Sequence, residues 1–189
     1  MLLSEEQELI RETARELAKK VIAPLAENAD KDCLFPTAQI QAVAEAGMLL
    51  IKTPDSIGGG GGDSIMYALL IEEIAKECSA TAITVAVQSL CADCISKFGT
   101  DAQQKKYIPA MASGELIAAF AMTEAGAGTD ASAQTTTAED KGDHYILNGT
   151  KCFITHGDMA GIAIVTARTD LDSTGSKGLS AFIVDKSQF

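Results

Sequence analysis

The sequence predicts an α+β fold in which an N-terminal all-helical bundle, residues 1–115, precedes an antiparallel β domain, residues 116–189, that forms part of a barrel. Up to about residue 115, apolar residues recur at helical spacing. After Gly114 they occur in short, strand-length runs separated by turn residues. Because no helix-length pattern lies between these runs, the second part is not predicted to be a βαβ sheet.

Start and stop signals place the first two helices. Ser4 and Gln7 form a capping-box pattern that predicts the start of helix one. Pro24 is expected to disturb or end that helix, because proline lacks a backbone N–H and crowds the preceding turn. Pro36 then opens a second helix, and Gly47 is placed to cap its C-terminus.

The remaining helices follow a run of five consecutive glycines, Gly58 to Gly62, which is predicted to be a flexible connector. Asp63 or Ser64 is expected to cap the next helix. A long helix is predicted from about Thr81 to Phe98, and a shorter helix capped by Thr100 or Asp101 runs toward Met111.

The predicted strands are short and rich in apolar or β-branched residues. They occupy residues 116–122, 132–140, 144–147, 150–155, 161–169 and 178–185. Asn148-Gly149 separates two of these runs, and this dipeptide is a strong signal for a two-residue hairpin turn. The strands are therefore predicted to pair as antiparallel neighbours.

Charge and cysteine content exclude several classes of function. The formal net charge is −11, which disfavours binding to nucleic acids and to anionic membranes. The chain has 5 cysteines, an odd number, so we expect reduced thiols and a cytoplasmic location. Cys91 and Cys94 form a lone CxxC, which is predicted to pack within a helix. His144 and His156 have no ligand cluster around them in the sequence, so no metal site is predicted.

One loop carries residues suited to binding an anion. The segment 120–130 leaves a predicted strand and contains Gly126, Gly128 and Thr129. Successive backbone N–H groups in such a loop can form a concave nest for a phosphate oxygen, and a threonine hydroxyl can add to it. A tight turn without a ligand has the same composition, and the composition of the loop alone favours that interpretation.

The order of several segments resembles the acyl-CoA dehydrogenase family over essentially the whole chain. Residues 121–133, AMTEAGAGTDASA, resemble the family signature, and residues 151–157 resemble its second flavin-contacting stretch. Residues 3–7, the glycines before Asp63 and residues 98–101 match further family landmarks in order.

The resemblance implies FAD as the cofactor and assigns residues to it. Phe120 to Thr123 are expected to lie against the flavin ring, with the Thr123 hydroxyl on its pyrimidine edge. Gly126 to Thr129 are expected near the pyrophosphate, and Thr155 near N5, the hydride-accepting atom. The expected cofactor-binding residues are Phe120, Ala121, Met122, Thr123, Gly126, Gly128, Thr129, Phe153, Ile154 and Thr155.

Two residues are expected to contact the acyl-CoA substrate, Thr129 and Leu90. Leu90 shares a predicted helix face with Ile83, Ala86 and Val87, and in the family this helix helps to form the acyl-chain pocket. Ordinary core packing is the alternative for this face.

The chain departs from the family pattern at four positions. Ala125 stands where proline is usual, Phe153 where tryptophan is, His156 where asparagine is, and Ile57 where tyrosine is. None of these changes removes a hydrogen bond named above. Glu124 is expected to be structural and not a base.

The implied activity is α,β-dehydrogenation of acyl-CoA thioesters to trans-2-enoyl-CoA in fatty-acid or amino-acid catabolism. Electrons would pass to electron-transferring flavoprotein, and the full-length enzyme would be a homotetramer. The catalytic base is expected in a C-terminal helical domain that is absent from these 189 residues. The chain alone is therefore expected to be inactive and to retain FAD weakly. The alternatives are a non-catalytic flavin- or partner-binding short chain and an acyl-CoA oxidase.

Overall fold

A computed structural model describes residues 2–188, which divide into two compact units. The first extends to Ile117 and is helical, and the second begins at Ala118 and contains the β-strands. The α+β prediction, a helical region followed by a sheet, is therefore confirmed.

Within residues 2–117, the helical unit contains six α-helices. They are α1 (Glu5–Leu17), α2 (Ala23–Lys31), α3 (Thr37–Glu45), α4 (Ser64–Glu77), α5 (Ser79–Phe98) and α6 (Asp101–Ala112). Residues of α1, α3, α4 and α5 form a core together with residues of the connecting segments, and its most deeply buried members include Ile22, Ile40, Val43, Leu49, Leu70 and Ile74. Burial of these large side chains is the main stabilising contribution to the unit.

The predicted helix boundaries near the N-terminus are largely confirmed. Ser4 and Gln7 form the reciprocal capping box at the start of α1. Gly47 has a φ of +70° just after α3, where its N–H bonds to the carbonyl of Ala44 at 2.8 Å. Pro24 does not end the helix: the chain passes through a π-helical turn, Ala18–Ile22, which accommodates the proline, and continues as α2.

The five-glycine run is an ordered, packed segment, so its prediction as a flexible connector is wrong. A Cβ at Gly59 would lie 2.2 Å from the carbonyl oxygen of Thr53, and one at Gly60 would lie 2.9 Å from the Cα of Ile51. The N–H of Gly62 bonds to the Ile51 carbonyl at 2.7 Å. Glycine is needed here because two backbone segments approach too closely for a side chain.

Helix α5 is the long central helix of this unit. It is long and apolar enough to cross a membrane by length and composition alone, yet 50% of its apolar window is buried inside the protein. Gln88 donates to the carbonyl oxygens of Met111 at 3.1 Å and Leu116 at 2.7 Å, and Ser89 donates to that of Leu49 at 3.2 Å. These contacts are those of a core helix.

The second unit is built on a five-stranded sheet. Its strands are β1 (Ala118–Ala121), β2 (Thr137–Asp140), β3 (Tyr145–Asn148), β4 (Ile162–Arg168) and β5 (Leu179–Asp185). The order is β1-β4-β2-β3, with β5 also paired to β4. Pairs β2–β3 and β4–β5 are antiparallel, but β1 and β2 run parallel to β4. The sheet is therefore mixed, and the prediction of a purely antiparallel domain is corrected. The long connection from β1 to β4, residues 122–161, permits this parallel pairing.

The hairpin lies earlier than predicted. β2 and β3 turn at Lys141 to His144, where the Lys141 N–H bonds to the His144 carbonyl at 2.9 Å and Gly142 has a φ of +93°. Asn148-Gly149 makes no turn between strands. Gly149 instead allows a close approach, since a Cβ there would lie 2.3 Å from Thr136 Oγ1. The hairpin prediction at this dipeptide is wrong because its glycine serves packing.

A cavity of about 490 Å³ lies against the sheet, and its lining includes residues of β1, β3, β4 and β5: Ala119, Ala121, Leu147, Ala163, Val165 and Val184. The rings of Tyr145 on β3 and Phe182 on β5 are 5.1 Å apart between centroids. Small side chains on β1 and β4 leave this cavity open.

An ion pair between a partly exposed arginine and a buried glutamate joins α1 to α4. The Arg15 guanidinium donates two hydrogen bonds to the Glu73 carboxylate, at 3.1 and 2.9 Å, and Glu73 is only 3% exposed. Lys76 adds a contact at 3.0 Å. The hydrogen bond from Arg15 outweighs the opposing effect of burial, and with Lys76 it lowers the pKa of Glu73 from 4.5 to about 2.

This ion pair predicts a pH dependence of stability. Since the folded-state pKa is depressed, the stabilisation is fully present above the ordinary value of 4.5 and is lost as pH falls toward about 2. We expect Glu73→Gln to lower the free energy of unfolding at pH 7, and the gap to wild type to shrink between pH 5 and pH 2, a window set by those two pKa values. Urea unfolding at several pH values measures this gap.

The matched control is Glu72→Gln. Glu72 lies on the same helix and pairs with the same Lys76, but it is 60% exposed. It should change stability by less than about 0.5 kcal/mol at either pH. A gap between Glu73→Gln and wild type that does not depend on pH would contradict the assignment.

Candidate functional site

Two segments of the second unit lie side by side: residues 120–124, which continue from β1, and residues 151–156, which form a loop before β4. The Cys152 N–H donates to the carbonyl oxygen of Thr123 at 3.0 Å. Lys151 Nζ donates to the Met122 carbonyl at 3.0 Å, and His156 Nδ1 lies 2.9 Å from the Ala118 carbonyl. These contacts bring together the segments that contain Thr123 and Thr155.

The second segment has a strained backbone. Phe153 has a φ of +55° and His156 a φ of +68°, both in the left-handed region. The ring of Phe153 is 94% exposed, so no packing against the rest of the chain offsets this strain. Strain of this kind is concentrated at functional sites, where a ligand supplies the missing contacts.

The left-handed conformation also explains the residue at position 156. Asparagine and histidine both tolerate positive φ better than most residues. His156 therefore keeps the backbone that the family's common asparagine would adopt. Its ring is buried, and burial lowers the pKa of His156 although the Ala118 carbonyl opposes this shift. The ring is thus a neutral, structural group at pH 7 and above.

The glycine loop is a tight turn with open space above it. Glu124 and Ala127 exchange two backbone hydrogen bonds, at 3.2 and 3.0 Å. Neither Gly126 nor Gly128 has a positive φ, and a Cβ at either position would meet nothing within 4 Å. The conformation therefore does not require these glycines, while the space beside them is free for a ligand to approach the backbone.

Several donor groups of this loop have no protein acceptor. Within residues 2–188, the N–H groups of Gly126, Gly128 and Thr129 and the Thr129 hydroxyl have no hydrogen-bond partner. All three residues are exposed or adjoin exposed backbone. A cluster of free donors on glycine backbone fits a phosphate group, which supplies only acceptors at neutral pH.

Glu124 lies between the two segments as a structural carboxylate. It is 7% exposed, and it accepts hydrogen bonds from the Thr135 N–H at 2.7 Å, the Thr135 hydroxyl at 2.8 Å and the Thr136 N–H at 3.0 Å. Lys151 Nζ lies 2.9 Å from its other side. Burial alone would raise the pKa of Glu124, but Lys151 and the Thr135 and Thr136 donors outweigh it and hold that pKa well below its usual range. With both oxygens occupied, Glu124 is not placed to take a proton.

Two basic residues hold the loop after the glycines, through contacts that sequence reasoning did not predict. Lys151 donates to Gln134 Oε1 at 2.7 Å. Arg168 donates to the carbonyl oxygens of Ser132 at 2.9 Å and Gln134 at 3.2 Å. No local sequence pattern predicts these hydrogen bonds, because the bonded residues lie 17 to 36 positions apart in the chain.

The helix face that contains Leu90 is exposed. Leu90 is 44% and Ile83 is 52% exposed, while Ala86 and Val87 are half-buried. Core packing, the alternative reading, therefore does not describe Leu90 or Ile83. The substrate role of Leu90 stays a prediction, as does that of Thr129.

The lone CxxC is a packing feature, as predicted. Cys91 is fully buried in α5, Cys94 is partly buried, and both are free thiols. Burial raises the pKa of the Cys91 thiol to about 12, so it has no reactive thiolate at neutral pH.

Comparison with known proteins places both units in one family. Residues 4–115 match the family described as "Acyl-CoA dehydrogenase, N-terminal domain", and residues 119–188 match "Acyl-CoA dehydrogenase, middle domain". The short-chain specific acyl-CoA dehydrogenase of Clostridium acetobutylicum is 41% identical over 97% of this chain and 48% of its own length.

A relative that works on a different kind of substrate is equally similar. The 3-(aryl)acrylate reductase of Clostridium sporogenes is 42% identical over 100% of this chain and 50% of its own length. Among solved structures, a glutaryl-coenzyme A dehydrogenase in complex with glutaryl-CoA has a TM-score of 0.94 at 36% identity, covering 100% of this chain and 49% of that one. The chain thus spans about half the length of the curated relatives it matches.

The strain at Phe153 predicts the effect of two substitutions. Phe153→Gly removes the left-handed penalty, so we expect it to raise the free energy of unfolding of the ligand-free protein by about 1 kcal/mol. Phe153→Ala removes the same exposed ring but keeps the penalty, and should change stability by less than about 0.5 kcal/mol. Urea unfolding of both variants measures the difference, and equal stabilities would show that the backbone at position 153 is not strained.

Proposed function

The chain belongs to the acyl-CoA dehydrogenase family, and on that basis we propose that its whole protein oxidises acyl-CoA thioesters to trans-2-enoyl-CoA with FAD as cofactor. One observation carries the proposal. Residues 120–124 and 151–156 are far apart in the sequence, yet they lie side by side and are joined by direct hydrogen bonds.

The flavin ring is proposed to lie on this surface. The hydroxyl groups of Thr123 and Thr155 have no hydrogen-bond partner within residues 2–188, and so are free to bond to the ring. Bound FAD would supply a two-electron acceptor for the hydride that leaves the β-carbon. The proposed contact residues are those of the sequence prediction: Phe120, Ala121, Met122, Thr123, Phe153, Ile154 and Thr155.

Phe153 is proposed to cover part of the ring. Its side chain is 94% exposed on a strained backbone, and a flat cofactor would bury that apolar surface. This contact would shield one side of the ring from water and would offset the backbone strain.

Gly126, Gly128 and Thr129 are proposed to hold the pyrophosphate, with Thr129 also reaching the acyl-CoA. The formal net charge of −11 makes the protein as a whole repel such ligands. A local cluster of backbone donors overcomes this repulsion without a basic surface.

We assign proton abstraction to no residue of this chain. Glu124 is the buried carboxylate nearest to the proposed ring surface, and its four contacts to donors leave it no free lone pair directed at a substrate. Its proposed role is to fix the loop.

Further properties are proposed from family membership. They are transfer of electrons to electron-transferring flavoprotein, a homotetrameric whole protein, a cytoplasmic location and a role in fatty-acid β-oxidation. The five free cysteines are compatible with a reducing compartment.

A second candidate is the reverse reaction, reduction of an activated carbon–carbon double bond. It is favoured by the 42% identity to a 3-(aryl)acrylate reductase over 100% of the chain. The same surface would serve, because hydride transfer between flavin and the β-carbon uses one geometry in both directions.

The proposal is tested with the full-length gene product. We expect it to bind FAD, and expect the flavin absorbance to bleach when an acyl-CoA is added anaerobically, with an enoyl-CoA as product. A panel of straight and branched acyl-CoAs identifies the substrate. The reductase is indicated if none of the acyl-CoAs bleaches the flavin absorbance, while flavin reduced by an added chemical reductant is reoxidised by a 2-enoyl compound. Failure to bind FAD at all would contradict both candidates.

A single substitution tests the glycine loop. In Gly128→Val, the new side chain enters space that is open in the ligand-free protein. We therefore expect unfolding stability to change by less than about 0.5 kcal/mol, while the Kd for FAD rises about tenfold or more. Fluorescence titration measures the affinity. Ser176→Val, on an exposed loop elsewhere in the same unit, is the control and should leave the Kd unchanged.

A further inference from the structure

We propose that Lys151 is a positioning residue that polarises the Met122–Thr123 peptide toward the bound flavin and so raises the flavin's reduction potential. This inference rests on the proposed function, because it requires the ring to lie beside Thr123. It gives the buried ammonium group of Lys151 a role in tuning the cofactor.

The ammonium group of Lys151 is fixed on all sides. Its side chain is 10% exposed, and Nζ contacts three acceptors: Met122 O at 3.0 Å, Glu124 Oε1 at 2.9 Å and Gln134 Oε1 at 2.7 Å. An ammonium group has three donors, so each is used once. The charge is therefore held in one place and does not need to reorient when a ligand changes its charge.

The carboxylate of Glu124 is also held by several hydrogen bonds besides its contact with Lys151. The backbone N–H groups of Thr135 and Thr136 and the hydroxyl of Thr135 bond to its two oxygens. The pair is therefore formally neutral, while its positive end alone touches the backbone at Met122.

The contacted carbonyl and the Thr123 N–H belong to one peptide unit. In a trans peptide the two groups point in opposite directions. A cation bonded to the carbonyl strengthens the N–H as a donor, because hydrogen bonds in a chain polarise one another. Within residues 2–188 the Thr123 N–H has no acceptor, while the Thr123 carbonyl is already held by the Cys152 N–H.

The expected consequence is selective stabilisation of the reduced cofactor. Reduction adds electron density to the ring system, and a strengthened donor beside the ring binds the reduced form more tightly than the oxidised form. Lys151 touches the ring in neither state, which is why it is a positioning residue.

Holding the loop through Gln134 explains one of the contacts of Lys151, but it does not explain the contact with the Met122 carbonyl. The Cys152–Thr123 and His156–Ala118 contacts already join the two segments. Burying an ion pair is costly, and apolar side chains of similar size would hold neighbouring segments at least as well. An apolar pair, however, cannot place a positive charge next to the Met122 carbonyl oxygen.

Three variants of the flavin-loaded full-length protein separate charge, contact and structure. They are Lys151→Met, Glu124→Gln and the double variant Lys151→Met/Glu124→Gln. The flavin midpoint potential is measured by equilibration with reference dyes, and thermal unfolding of each apoprotein is recorded alongside. Lys141→Met is the control, since Lys141 is an exposed lysine of the same unit paired with Glu139.

We expect Lys151→Met to weaken binding of reduced relative to oxidised flavin about tenfold, which lowers the midpoint potential by about 30 mV. Glu124→Gln keeps the ammonium and removes a negative charge, so the potential should rise or stay unchanged. The double variant has the same net charge as wild type but lacks the cation on Met122, and its potential should fall. The control should match wild type.

Either of two results overturns the inference. A double variant with the wild-type potential would mean that only net charge matters. Equal lowering of the potential by Lys151→Met and Glu124→Gln would mean that the pair acts only on structure. If Lys151→Met does not fold, the double variant, which has no unpaired buried charge, decides the question. Wild-type protein that binds no flavin would instead refute the proposed function.

Discussion

The hydrogen bonds between residues 120–124 and 151–156 are the constraint on which the site depends. The bond from the Cys152 N–H to the Thr123 carbonyl, at 3.0 Å, sets the register of the two segments. Lys151 and Glu124 fill the space between them with a fixed charge pair. Because both segments leave regular structure at this point, their side-chain hydroxyls and the Phe153 ring are not absorbed by the sheet. Within residues 2–188, the Thr123 and Thr155 hydroxyls have no hydrogen-bond partner, and the Phe153 ring is 94% exposed.

The sheet positions these segments through its mixed topology. β1 is only four residues long and pairs in parallel with β4, so the chain leaves the sheet after Ala121 and enters the glycine loop directly. Arg168, at the far end of β4, binds the carbonyl groups of Ser132 and Gln134 and so holds the segment that follows that loop. The loop is therefore anchored at both of its ends to β4 or its neighbours, while Gly126 and Gly128 remain exposed. A loop whose ends are anchored and whose central glycines are exposed suits the proposed phosphate site, because it needs little reordering when a ligand binds.

Local signals predicted local structure, and failed where distant packing decided the outcome. The capping box at Ser4 and the C-terminal cap at Gly47 depend on residues a few positions apart, and both are present. Gly149 and the glycines at 58–62 were interpreted as a turn and a connector, but close approach to Thr136 and Thr53 requires them. The family motifs include both Glu124 and Lys151, but the contact between them spans 27 positions, and no local pattern predicts that pairing.

Two separate stretches of the second unit, residues 120–129 and 151–156, are proposed to bind one cofactor together. Hydrogen–deuterium exchange of the full-length protein, with and without FAD, tests this claim most directly. FAD should slow exchange in peptides covering residues 120–129 and residues 151–156 at the same ligand concentration, because both contact a single molecule. Protection confined to one stretch, or found only outside both, would contradict the account.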